Sequence, residues 1–134
     1  MNIIERAISG EARWEAFALK ILFTVITVAA GFKGGEIVPT FFIGSTFGCV
    51  VAPLIGLDAS FGAAIGFVAL FCSVVNCPVA SVMLATEVFG GEGILIFAVV
   101  CCISYMTSGY SGLYHSQRIV YSKFGENYIN IHTR

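Results

Sequence analysis

The stretch Gly31-Phe32-Lys33-Gly34-Gly35-Glu36-Ile37-Val38-Pro39 interrupts two strongly apolar runs with glycines, charges and a proline. The apolar run before it, residues 17–32, predicts a membrane helix, and residues 40–56 after it are apolar again. Helix-breaking residues at membrane depth are tolerated only where the freed backbone is buried in protein or lines a cavity. The break therefore predicts an unwound segment whose backbone groups are buried in protein or line a cavity.

One purpose for such a break is anion binding. An unwound segment can aim the N-terminus of a half-helix at an anion, which is held by the positive dipole end and by unpaired N–H groups. Pro39 suits the first turn of that helix, because its missing N–H would have no partner there. An ordinary loop at the membrane surface explains the same residues equally well, since Lys33 and Glu36 are compatible with lipid headgroups. Spacing alone leaves both interpretations open.

Composition places the chain in a membrane. It is 57% hydrophobic and 11% charged, whereas about a quarter of the residues of soluble domains are charged. The mean hydropathy is +0.90, and Asp58 is the only charged residue between Glu36 and Glu87. We therefore expect a multi-pass protein of the cell membrane. The net charge of −1 argues against nucleic acid as a partner, because its phosphates require clustered Lys and Arg.

No enzymatic or cofactor chemistry is expected. The chain contains none of the GxSxG, HExxH, Walker or GxGxxG patterns. Its cysteines all lie in apolar runs, without the CxxC-type spacing or the nearby histidines of a metal site. We interpret them as small buried hydrophobic residues; they are Cys49, Cys72, Cys77, Cys101 and Cys102.

The apolar runs are short, which predicts tilted and broken helices. We divide the chain into a polar connector (1–12), a membrane domain (13–124) and a polar tail (125–134). The predicted helices cover residues 13–32, 38–52 with Pro53 at its end or kink, 61–75, 79–88, 94–107 and, as a last amphipathic helix carrying Arg118 and Lys123, 113–124. A straight span needs about 20 apolar residues, so most of these are expected to be half-spanning or steeply tilted. The predicted fold class is all-α integral membrane.

Small residues recur at a spacing that allows helices to pack closely. Gly44 with Gly48, and Gly62 with Gly66, form two small-xxx-small pairs. Each pair lets a neighbouring backbone approach. This pattern is common in membrane helices and indicates no particular function.

Two further polar segments carry candidate functional groups. Asn76-Cys77-Pro78 breaks a helix, and Glu87 follows on the same segment. An intramembrane carboxylate is a functional-site hypothesis by default, but the nearby Phe89-Gly90-Gly91 favours an interfacial position for Glu87. The second segment, residues 109–116, contains Tyr114. Its hydroxyl is a neutral donor suited to an anion, although tyrosine is more often an interface anchor.

Taken in order, these segments resemble the C-terminal part of the CLC family of chloride channels and anion/proton antiporters. Gly35-Glu36-Ile37-Val38-Pro39 matches the family's GxFxP motif, with Ile37 in place of the phenylalanine. Residues 76–80 (NCPVA) through 87–90 (EVFG) resemble the family's later (N/A)-x-P…E-x-T-G segment. Leu113-Tyr114-His115-Ser116 resembles its leucine–tyrosine element. The order and spacing of all three agree with the family.

The resemblance implies a fold of two inverted-topology halves, of which this chain resembles most of the second half plus the last helix. The implied anion-binding residues are Gly35, Glu36, Ile37, Pro39 and Tyr114. The backbone N–H groups of Glu36 and Ile37 would contact the anion, and the Tyr114 hydroxyl would contact it from the cytoplasmic side. The family also implies a homodimer in which each subunit has its own pathway. Its interface would involve residues 79–88 and 94–107, with the side chains Val79, Val82, Leu95 and Phe97.

Two departures from the family pattern leave alternatives open. The family's GSGIP and GREGP elements are not in this sequence. We therefore expect either a remaining N-terminal segment encoded upstream or a truncated product. Ile37, with Lys33 and Glu36 nearby, resembles the bacterial fluoride-exporting branch, which implies chloride or fluoride as the anion and the inner membrane of a bacterium as the location. The alternative function is that of a small multi-span membrane protein with a structural or assembly role and no transport pathway.

Overall fold

The computed structural model describes residues 14–31, 34–114 and 116–132. Its α-helices are α1 (Trp14–Ala29), α2 (Ile37–Ile55), α3 (Ala59–Val75), α4 (Pro78–Phe89) and α5 (Ile94–Thr107), with a 3-10 turn at Gly91–Gly93 before α5. Strands β1 (Arg118–Tyr121) and β2 (Tyr128–His132) follow. The chain divides into two compact units, Met1–Phe71 and Cys72–Arg134. The predicted connector, residues 1–12, lies outside the described residues.

The five helices α1–α5 agree with the helical segments predicted from the apolar runs. The second helix continues past Pro53 and ends at Ile55, where Gly56 adopts a left-handed conformation (φ +82°). The N–H groups of Gly56 and Leu57 then donate to the carbonyls of Pro53 and Ala52, at 3.2 and 2.9 Å. A left-handed glycine that satisfies the last carbonyls is a common helix ending. Pro53 therefore precedes the end of α2 by two residues and does not itself terminate it.

In the first unit, α2 and α3 cross through the predicted glycine pairs. A Cβ placed on Gly44 would lie 2.5 Å from the carbonyl oxygen of Gly66, and one placed on Gly48 would overlap the carbonyl oxygen of Gly62. Real Cβ atoms do not approach this closely, so only glycine allows the two backbones to meet. Beside the crossing, the rings of Phe41 and Phe67 stack with their centroids 4.2 Å apart.

Among the described helices, α2 alone is long and apolar enough to cross a membrane, judged by length and composition. It has 19 residues, and the apolar helices around it are shorter. The shorter ones agree with the expectation of half-spanning or tilted helices. A helix of n residues rises by about 1.5 Å per residue, so a 12-residue helix such as α4 is far shorter than the hydrocarbon core.

In the second unit, α4 and α5 pack against each other. The ring of Phe97 is buried, with 3% of its surface exposed, and its centroid lies 5.9 Å from that of Phe89. Phe97 is therefore unavailable for the predicted interface between subunits. Val79 and Leu95 are exposed, with 74% and 80% of their surfaces accessible.

The predicted last helix, residues 113–124, is wrong. The chain forms an antiparallel hairpin there, in which Ile119 lies opposite Ile131 and Tyr121 opposite Tyr128. The sequences RIVY and YINIH are rich in β-branched and aromatic residues, which favour strands because they pack well on a pleated surface. The second strand lies in the segment predicted to be a polar tail, so its pairing with the first was not anticipated. The fold is mostly helical with a C-terminal β-hairpin, and it is not all-α.

Candidate functional site

The predicted anion-binding loop lies immediately before α2. Gly34 and Gly35 both have positive φ angles, +119° and +75°, which glycine adopts without strain and other residues rarely adopt. Glu36 returns the chain to the right-handed helical region and serves as the N-cap of α2. Two successive left-handed glycines therefore turn the chain sharply into the helix. Lys33, which the sequence analysis placed beside this loop, lies outside the described residues.

The first turn of α2 presents backbone N–H groups that no described side chain caps. The carbonyl oxygen of Glu36 accepts two hydrogen bonds from Thr40, one from its N–H at 3.2 Å and one from its hydroxyl at 2.8 Å. Pro39 lies in the first turn, as predicted, and has no N–H to satisfy. The N–H groups of Glu36, Ile37 and Val38 belong to the helix terminus, where donors lack intrahelical partners and the dipole is positive. This arrangement suits a negatively charged or electron-rich ligand.

Tyr114, the other predicted site residue, lies in the second unit, in the connection between α5 and β1. It is 45% exposed. The residue before it is tied to α3, because the N–H of Leu113 donates to the carbonyl of Val74 at 2.9 Å. Its own carbonyl accepts from the N–H of Gln117 at 3.0 Å. Gly35, Glu36, Ile37 and Pro39 belong to the first unit, and their grouping with Tyr114 in one site stays a prediction.

Glu87, the carboxylate considered above, is an exposed residue in the last turn of α4. The predicted break at Asn76-Cys77-Pro78 is confirmed, since α3 ends at Val75 and α4 begins at Pro78. Asn76 has a φ of +56°. Asparagine tolerates this left-handed region better than most residues with a side chain.

A polar cluster around Asn76 was not anticipated from the sequence. We call it the Asn76 cluster; its members are Asn76, Tyr105, Ser108, Ser111 and Lys123. The Lys123 ammonium donates to Asn76 Oδ1, to the Tyr105 carbonyl at 3.0 Å and to Ser108 Oγ at 2.9 Å. It also lies 4.0 Å from the centroid of the Tyr105 ring. Burial of the ammonium lowers the pKa of Lys123 below the ordinary lysine value.

Both polar atoms of the Asn76 side chain form hydrogen bonds in this cluster. Its Nδ2 donates to the carbonyl of Ser111 at 2.6 Å, and its Oδ1 also accepts from the hydroxyl of Ser108 at 3.2 Å. The partners of Asn76 are 32 to 47 residues away in sequence. The signal for the cluster is the combination of an asparagine at a helix break with a lysine in the amphipathic segment 113–124.

The cysteines agree only in part with their interpretation as buried residues. Cys49, Cys72 and Cys101 are buried, Cys77 is half-buried and Cys102 is exposed. The Sγ of Cys72 donates to the carbonyl of Cys101 at 3.4 Å. Within the described part of the chain, no group of three or more His, Cys, Asp or Glu side chains is placed to hold a metal ion.

Comparison with known proteins relates the chain to one family. The family model described as "Voltage gated chloride channel" matches residues 1–109. A chloride/fluoride channel protein of Pseudomonas syringae pv. tomato is 46% identical over 104 residues, which cover 78% of this chain and 23% of that protein. An uncharacterized protein of Methanocaldococcus jannaschii is 30% identical over 86 residues, which cover 64% of this chain and 22% of that protein. No solved structure matches.

The chain thus spans less than a quarter of the length of the curated relatives it matches. The residues that the family model covers include α1–α5 and the Gly35–Pro39 loop, whereas Tyr114 and the hairpin lie beyond residue 109. The match extends over most of the chain, and it confirms the family that the motifs indicate. The chain is a membrane protein and belongs to the voltage-gated chloride channel (CLC) family.

Proposed function

We propose that this chain forms part of the anion pathway of a CLC-type channel or anion/proton antiporter, carrying chloride or fluoride across a bacterial inner membrane. The observation that carries the proposal is the uncapped start of α2, which follows two left-handed glycines in a chain of this family. The name of the Pseudomonas relative, a chloride/fluoride channel protein, supports the choice of anions. The remaining parts of the pathway would come from segments outside these 134 residues.

The mechanism follows from the cost of dehydrating an anion. An ion that leaves water must be given new donors, because an unpaired charge in a low-dielectric medium is very unfavourable. The N–H groups of Glu36 and Ile37 would supply such donors from a rigid helix terminus, and the Tyr114 hydroxyl would supply another. All three are neutral. They would stabilise the anion without binding it as tightly as a full positive charge, and conduction requires that the ion can also leave.

The test compares two glycine-to-valine substitutions in the assembled transporter, meaning this chain together with the rest of the pathway. Gly35→Val places a β-branched residue at a φ of +75°, where it is strained, and distorts the entry to α2. Gly91→Val is the matched control, because Gly91 lies in open space without a positive φ. We expect Gly35→Val to lower chloride and fluoride efflux from liposomes strongly, and Gly91→Val to leave it near the wild-type rate. Equal efflux from both variants would contradict the proposal.

The alternative, a structural or assembly subunit without a pathway, is distinguished by the same assay. We expect the chain alone to conduct no anions, because the donors it supplies are only part of a coordination shell. Under our proposal, efflux appears when the remaining segment is reconstituted with it and depends on Gly35. Under the alternative, efflux of the assembly is insensitive to Gly35→Val. Selective efflux from the chain alone would contradict the claim that it is only part of a pathway.

A further inference from the structure

Every N–H donor of the Lys123 ammonium has an acceptor among the neighbouring groups. A protonated lysine has three N–H donors and no acceptor, and three acceptors surround it: Asn76 Oδ1, the Tyr105 carbonyl and Ser108 Oγ. The Tyr105 ring covers it with its centroid at 4.0 Å, a distance at which a cation and an aromatic face attract each other. Because all three donors of Lys123 bind protein groups, none is available for a ligand. We therefore consider a structural role, in which Lys123 connects the elements that supply its acceptors.

Its acceptors come from the ends of two helices. Tyr105 is in the last turn of α5, and Ser108 is its C-cap; Asn76 directly follows α3. Carbonyl groups at a helix C-terminus lack intrahelical donors and carry the negative end of the dipole, which a lysine stabilises. Lys123 therefore joins the C-terminal ends of α3 and α5 by one cation.

The same contacts fix the connection that leads to Tyr114. Ser108 and Ser111 bind Asn76, and the N–H of Leu113 donates to the carbonyl of Val74. The Tyr110 hydroxyl is 3.1 Å from Ser122 Oγ, one residue before Lys123. Residues 108–113 are thus tied at several points to α3 and to the hairpin, and the next residue along the chain is Tyr114.

We propose that Lys123 is a positioning residue, which holds the 108–114 connection through the Asn76 cluster and thereby places the Tyr114 hydroxyl for the anion. The inference rests on the proposed anion-binding role of Tyr114. The proposal also gives the hairpin a role: it places Lys123 at the ends of α3 and α5. The hairpin lies outside the residues matched by the family model. Lys123 itself does not touch the anion.

The first test measures the connection directly, without any anion. Lys123→Met keeps an unbranched side chain, one heavy atom shorter, and removes all three donors. Arg118→Met removes the other positive charge of the described hairpin, whose contact is with His132, and serves as the matched control. We expect hydrogen–deuterium exchange of the 108–114 amides in lipid nanodiscs to rise about tenfold in Lys123→Met. Exchange in residues 44–66 should stay unchanged.

Two further variants keep the test decisive if Lys123→Met fails to fold. Ser108→Ala removes one of the three acceptors and should raise exchange in the same residues by a smaller factor. Lys123→Arg keeps the charge and should restore part of the protection. If Lys123→Met raises exchange no more than Arg118→Met does, or raises it uniformly along the chain, the positioning role is overturned.

The second test connects the cluster to the anion. Fluoride and chloride affinities of the assembled transporter are measured by titration with the sodium salts, for wild type, Lys123→Met, Tyr114→Phe and the double variant. If Lys123 acts through the Tyr114 hydroxyl, Lys123→Met weakens binding severalfold in the wild type and little further in Tyr114→Phe. Fully additive effects overturn the proposal.

The two tests also separate this inference from the proposed function. If Tyr114→Phe alone leaves both affinities unchanged, the anion-binding role of Tyr114 is wrong, and the link from Lys123 to the anion falls with it. A selective rise of exchange in Lys123→Met would still support the tether itself. If Tyr114→Phe weakens binding but exchange is unaffected by Lys123→Met, the proposed function stands and the positioning role is overturned.

Discussion

Two tyrosines on the same connection have different surroundings. The hydroxyl of Tyr110 lies 3.1 Å from Ser122 Oγ and so ties the connection to the hairpin. Tyr114 is 45% exposed and follows the residue whose N–H binds the end of α3. The Tyr110 hydroxyl binds Ser122, whereas the Tyr114 hydroxyl is proposed to contact the anion, so the Tyr114 substitution should have the larger effect on anion affinity.

For Tyr114→Phe, we expect weaker anion binding without unfolding. The substitution removes one neutral donor and keeps the ring. A hydrogen bond to a charged group is worth roughly 1.5–3 kcal/mol, which corresponds to about ten- to a hundredfold in affinity. Calorimetric titration of the assembled transporter with sodium fluoride and sodium chloride measures this directly.

Tyr110→Phe is the control for that experiment. It should lower the anion affinity far less than Tyr114→Phe does, and lower the free energy of unfolding by about 0.5–1.5 kcal/mol, the usual value of a hydrogen bond between neutral groups. The reverse pattern, with affinity lost in Tyr110→Phe and kept in Tyr114→Phe, would show that the family's tyrosine has been matched to the wrong residue.

The pKa of Lys123 gives a prediction about pH. Because burial lowers this pKa in the folded state, the folded protein releases the lysine proton before the unfolded chain does. Between the two pKa values the unfolded state binds more protons, so the free energy of unfolding rises with pH. We expect the wild type to gain stability relative to Lys123→Met as the pH rises through the alkaline range toward the ordinary lysine pKa of about 10.4.

Denaturant titrations of both proteins in mixed micelles, across that pH range, measure the difference. Among the described residues, the titratable groups near the ammonium are Tyr105, whose ring it faces, and Cys72, whose thiolate form would raise the pKa of the lysine. Both are present in the variant, so subtracting the two curves removes most of their own titration. A wild-type advantage that shrinks with rising pH would contradict the lowered pKa.

At the scale of elements, the crossing of α2 and α3 depends on glycine at four positions. Gly66→Ala would place a methyl group against the carbonyl of Gly44 and 2.9 Å from the Cα of Gly48. Alanine has the higher helix propensity, by about 1 kcal/mol, so propensity alone predicts a gain. We expect instead a loss of about 1–3 kcal/mol, because the extra methyl must push the helices apart.

Comparison with Gly44→Ala and with the double variant tests the mechanism. Both single substitutions separate the same two backbones, so the second should cost less once the first is present. Thermal unfolding in detergent gives the three values. A stability gain in Gly66→Ala, as propensity alone predicts, would mean that the helices do not cross as closely as described.

The helices were predictable from the sequence, whereas the hairpin was not. Apolar runs bounded by Gly56, by Asn76 and by Gly90 are local signals, and each helix ends within a few residues of them. A strand needs a partner, and β1 pairs with β2, which lies within the predicted polar tail. The pattern of residues 113–124, with Arg118 and Lys123 among apolar residues, did not reveal that pairing.

At the scale of the whole molecule, the difference between local signals and long-range contacts also decides which parts of the candidate site were predictable. The Gly35–Pro39 loop was recognisable because glycine, glycine and proline surround the start of one helix, and the structure places them there. The Asn76 cluster joins Asn76 to residues 32 to 47 positions away. Its contacts depend on the hairpin, so a sequence analysis that predicted a helix at Lys123 could not place that lysine beside Asn76.

The exposed apolar side chains of α4 and α5 lead to a prediction about self-association. We propose a homodimer formed through the outer faces of α4 and α5, where Val79 and Leu95 are 74% and 80% exposed. In a twofold dimer each position meets the same surface of its mate, so one substitution acts twice. Val79→Trp and Leu95→Trp should therefore overpack the interface and weaken self-association by about tenfold or more.

Leu22→Trp on α1 is the matched control, because Leu22 is also exposed, at 57%, and lies on a different helix. If the exposed faces of α4 and α5 contact lipid rather than a second copy, tryptophan is tolerated at all three positions, since apolar rings are accommodated by lipid chains as readily as leucine. Crosslinking in detergent at several protein concentrations separates these cases. A monomeric wild type would contradict an interface on α4 and α5. A dimer that is weakened by Leu22→Trp, and is unaffected by the other two substitutions, would place the interface on α1 instead.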